Sequence, residues 1–77
     1  MRFAITLNMG SHKGNIVHQV MGDHPAETLE DFLNELTDQE FVVVEEWYKD
    51  NVTGESAYKG PIGLNARMVG KVKVAAF

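Results

Sequence analysis

Thr28-Leu-Glu-Asp-Phe-Leu-Asn-Glu-Leu36, followed closely by Phe41-Val-Val-Val-Glu-Glu-Trp-Tyr48, decides the fold. In the first stretch Leu29, Phe32, Leu33 and Leu36 recur at i, i+3, i+4 and i+7, the spacing of one apolar stripe on a helix. The other side carries Glu27, Glu30, Asp31, Asn34 and Glu35 with no basic partner. Like charges at i, i+4 oppose the helix by a few tenths of a kcal/mol each, so it depends on packing. Two starts compete: Pro25, suited to a first helical position, and Thr28, which opens a capping-box-like Thr-Leu-Glu-Asp. The second stretch is a strand, rich in β-branched and aromatic residues. Both of its faces begin apolar and turn polar. Trp47 and Tyr48 stand at its end, either as interface anchors or, for Trp47, as a cap on the core beneath the helix.

Working outward, Arg2–Asn8 alternates, with Phe3, Ile5 and Leu7 on one side, as a half-buried strand does. Asn8–Asn15 reads as a loop, and 15–21 as a second strand that forms a hairpin with the first. After Phe41–Tyr48, residues 49–56 read as a hairpin loop. Ala57–Lys59 and Ile62–Leu64 follow as short strand pieces interrupted by Gly60-Pro61, which fits an edge or a bulge. Asn65–Gly70 is a short link, and Lys71–Phe77 alternates again, a candidate edge strand. The order β-β-α-β-β implies one α+β domain over residues 1–77. Its antiparallel sheet has four or five strands, with one helix packed on one face. A curled SH3-like or Sm-like barrel is the alternative, because Gly60, Gly63 and Gly70 permit sharp bends. The pieces around Ile62, Leu64 and Asn65 resemble strands of small Sm-like barrels. The two strands before the helix depart from that order, and no Sm motif is complete, so the resemblance assigns no residue a role.

At 77 residues and 8.6 kDa there is room for one domain. A chain of this length buries about 60–65% of its unfolded surface, which favours self-association as extra support. No cysteine is present, which excludes disulfides and thiolate chemistry. The longest apolar runs are far below the ~20 residues of a membrane helix. No secretory leader is legible at Met1–Leu7, so the expected location is cytoplasmic, away from the membrane.

The net charge of −4 conceals an asymmetry. Ten acids and only Lys49 fall between Asp23 and Asp50, whereas Lys59, Arg67, Lys71 and Lys73 against Glu55 make the C-terminal part basic. The two regions are expected to face each other within the fold, to pair between subunits, or to be ordinary solvated faces.

Several patterns invite a chemical reading. Gly10-Ser-His-Lys-Gly14 has the glycines of an anion-binding nest, but lacks P-loop spacing and leads into a strand. His12, His18 and His24 recur every six residues, without the close pairing a metal site needs. Glu45 and Glu46 are adjacent on a strand and point to opposite faces, so they are no carboxylate pair. Neither serine sits in a nucleophile elbow. Asn51-Val-Thr53 matches a glycosylation sequon and reads here as a turn. The chain is therefore expected to be no enzyme and to need no metal or cofactor. The leading expectation is a protein-interaction module that self-associates as a homo-oligomer, with Trp47, Tyr48, Lys71 and Lys73 at the interface. Strand pairing at an open edge is the expected means. The alternative is a nucleic-acid-binding domain using Tyr58, Lys59, Arg67, Lys71 and Lys73, although the acidic balance opposes it.

Overall fold

In a computed structural model, which describes residues 1–11 and 14–76, the elements run β1 (Arg2–Ser11), β2 (Gly14–Asp23), α1 (Leu29–Asp38), β3 (Phe41–Lys49), β4 (Ser56–Asn65) and β5 (Val69–Val74). A 3-10 turn at Ala66–Met68 joins β4 to β5. The five strands make one antiparallel sheet of order β4-β3-β2-β1-β5, with the helix on one face, as the alternation of apolar residues requires. Phe3, Ile5, Leu7, Val20, Val42, Val44 and Leu64 point to the helix side and close around Phe32. Phe32 stacks on Phe3 with ring centroids 4.4 Å apart. Burying a side chain of this kind contributes roughly 1.5–3 kcal/mol.

The helix starts at the later of its two candidate positions. Thr28 is the N-cap, and its Oγ1 accepts the Asp31 N–H at 3.1 Å. The residues before it are held differently. His24, only 7% exposed, accepts the Ala26 N–H on Nδ1 at 3.0 Å and bonds Glu35 Oε2 through Nε2 at 3.1 Å. Its ring stands edge-on to Phe32. One neutral tautomer satisfies both contacts, with Nε2 the donor and Nδ1 the acceptor. Of the expected apolar stripe, Phe32 is buried and Leu29 and Leu36 pack against the core, but Leu33 is 43% exposed. With the contact centred on Phe32, the helix turns its next residue about 100° away, to the rim.

Four further expectations are corrected. The loop placed at Asn8–Asn15 is mostly strand: β1 and β2 pair in unbroken register from Arg2↔Asp23 to Ser11↔Gly14. The strand pieces around Gly60-Pro61 are one strand. A bulge absorbs Lys59, since Glu46 pairs with Gly60 and Trp47 with Tyr58, and Gly60 adopts φ +108°. β5 ends at Val74, not at Phe77, which lies outside the described residues. Finally, the sheet is not a closed barrel: β4 and β5 are its two edges and do not pair. It does curl. The step from Asn65 to Val69 spans at most about 14 Å, whereas four strand spacings in a flat sheet are about 19 Å. Pro61 sits on edge strand β4, as its chemistry demands.

Candidate interaction surfaces

The helix covers the inner, concave side of the sheet. Register fixes what lies on the outer side. One row runs Tyr58–Trp47–Met21–Ala4–Lys73 across all five strands; the next holds Pro61, Glu45, Asp23 and Arg2. Phe41 and Val43 extend this face along β3 and are 60% and 61% exposed. Trp47 therefore does not cap the core beneath the helix: odd-numbered residues of β3 face away from Val42 and Val44.

The polar groups of this face are tied to one another. The Arg2 guanidinium donates to Asp23 through Nε at 2.7 Å and a terminal nitrogen at 3.1 Å, and it lies 4.4 Å above the Trp47 ring. Arg2 bonding, with a smaller contribution from the Trp47 indole N–H, holds the Asp23 carboxyl below its ordinary pKa. Tyr58 packs against Trp47 at 5.6 Å and donates its hydroxyl to Glu45, which pushes the phenol above its usual value. Tyr58 is nevertheless 54% exposed.

The other interface candidates divide. Lys71 and Lys73 join Trp47 on the outer side, opposite Thr6 and Ala4. Tyr48 points the other way, and Lys59 lies over its ring at 4.9 Å. Arg67 sits in the 3-10 turn. The five residues of the nucleic-acid reading therefore do not form one strip: Tyr58 and Lys73 end the same row, but Asp23 and Glu45 lie in the row beside it. Lys71, Lys73 and Arg67 make no ion pair among the described residues, and Glu35, the helix acid that is paired, bonds His24.

Between the two hairpins lies a cleft of about 460 Å³, lined by His18, Gln19, Trp47, Tyr48, Asn51 and Lys59, among others. It exists because β2 and β3 pair only at Met21↔Trp47, Gly22↔Glu46 and Asp23↔Glu45, and diverge beyond. Gly22 allows this close crossing, since a Cβ there would lie 2.6 Å from Val44 Cγ2. The sequence gives no sign of the cleft, because register between non-adjacent hairpins leaves no local pattern.

The described residues contain no group of three or more His, Cys, Asp or Glu able to hold a metal. His12 and Lys13, and with them the tip of the Gly10–Gly14 nest, lie outside the described residues. No described helix is long and apolar enough to cross a membrane. Compared with protein-family models, curated proteins and solved structures, the chain matches none.

Proposed function

We propose that this chain is a non-enzymatic interaction module, set in the cytoplasm, that works by protein contact and first of all with a second copy of itself. The observation that carries the reading is the one-sided sheet. Phe41, Val43 and Tyr58 stand exposed on the face the helix leaves uncovered, beside Trp47 and within one sheet of Lys71 and Lys73. Exposed aromatic and β-branched residues grouped on a small domain mark contact surfaces. Lys71 and Lys73, which make no ion pair among the described residues, and an acidic helix add charge complementarity between copies.

Static light scattering on the purified chain tests this. The expected mass is at least twice 8.6 kDa at micromolar concentration; a mass that stays at 8.6 kDa overturns self-association. Nucleic-acid binding remains the second reading because Tyr58 shares the outer side with Lys71 and Lys73. Oligonucleotide binding that weakens steeply with added salt would favour it.

A further inference from the structure

Each backbone edge of this sheet differs in how well it is guarded, and the longest unguarded one is internal. Edge strand β4 carries Pro61 and the bulge at Lys59, both of which deter pairing. Edge strand β5 is six residues long and carries Lys71 and Lys73. Were β5 to pair antiparallel with its own copy about Val72, Lys71 would stand opposite Lys73 of the partner subunit, a like-charge contact that opposes pairing. The third edge is the part of β2 that β3 leaves behind, Gly14-Asn-Ile-Val-His-Gln-Val20. It contains no proline and no Asp, Glu, Lys or Arg. On the other side of the same hairpin, β5 pairs with β1 only as far as Leu7. The hairpin beyond Leu7 and Val20 is thus a two-stranded ribbon with both flanks open, an arrangement that is marginally stable in water.

Resting on the self-association reading, we infer that the β2 edge from Gly14 to Val20 is the contact, and that its partner is the same strand of a second copy. Hydrogen-bond direction supports this. Met1 and His24 exchange both backbone bonds, so in this ladder the even-numbered β2 residues bond to β1 and the odd-numbered ones point away. Met21 and Asp23 spend those outward groups on β3. Val17 and Gln19 direct theirs into the gap between the hairpins. A two-fold axis at Val17 pairs outward groups with outward groups: Val17 with the partner's Val17, and Gln19 with Asn15 of the partner subunit. No like charges meet. Val20 would stand opposite the partner's Gly14, beside the cleft between the two hairpins.

Light scattering of three proteins tests the assignment. Val17→Pro removes an N–H that β1 does not use, and Val17→Lys keeps every N–H but sets two ammonium groups beside the two-fold axis. Both are expected at half the mass of the wild type while keeping the far-UV spectrum of a folded α+β domain. If Val17→Pro loses its spectrum, Val17→Lys decides alone. A wild-type dimer that survives Val17→Lys overturns the β2 contact and leaves self-association standing through another surface. A monomeric wild type overturns both.

Discussion

Asp23 shows how one residue organises the outer side of the sheet. It accepts from Arg2 and Trp47, and so links β1, β2 and β3. Its carboxyl titrates lower in the folded chain than the ordinary value of 3.8. A depressed carboxyl contributes stability that is present above the unfolded value and lost as pH falls through the folded one. The pair is partly solvated, so its worth is about 0.5–1 kcal/mol. Asp23→Asn is accordingly expected to be less stable than the wild type at neutral pH by about that amount, with the gap closing below roughly pH 4. Urea melts at both pH values measure it; a gap that persists at low pH assigns the loss to packing instead.

At the scale of elements, the helix was legible for physical reasons: Leu29, Phe32 and Leu36 at helical spacing leave few alternatives. Its exact start was less so, because Pro25 and Thr28 are both acceptable signals. The deciding contact, His24 Nδ1 accepting the Ala26 N–H, is made by a side chain ordered by distant Phe32 and Glu35. Thr28→Ala should lower stability by about 1 kcal/mol, the usual value of an N-cap, in a thermal melt; an unchanged midpoint would show that packing, not the cap, sets this helix end. In β3 the run Phe41–Val44 hid which face is buried, since all four residues are apolar. Register with β4 resolves it, turning Phe41 and Val43 outward. The edge role of β5 was readable from its short alternating run, whereas the long β1–β2 ladder was obscured by Gly10 and Gly14, which read as a loop.

For the whole molecule the governing feature is unequal pairing. Each hairpin is fully zipped, but the two meet over three residue pairs, and that short seam produces both the cleft and the open flank of β2. None of this follows from composition, because it depends on where one hairpin crosses the other at Gly22. The outer edges carry a proline, a bulge and lysines, while the inner one has none of these. Amide hydrogen exchange, resolved by residue and followed against protein concentration, tests that asymmetry most directly. Ile16 and His18, bonded to β1, should show protection already in dilute solution, whereas Val17 and Gln19 should become protected only as the chain associates. Val17 and Gln19 exchanging just as fast in concentrated as in dilute solution would contradict the account.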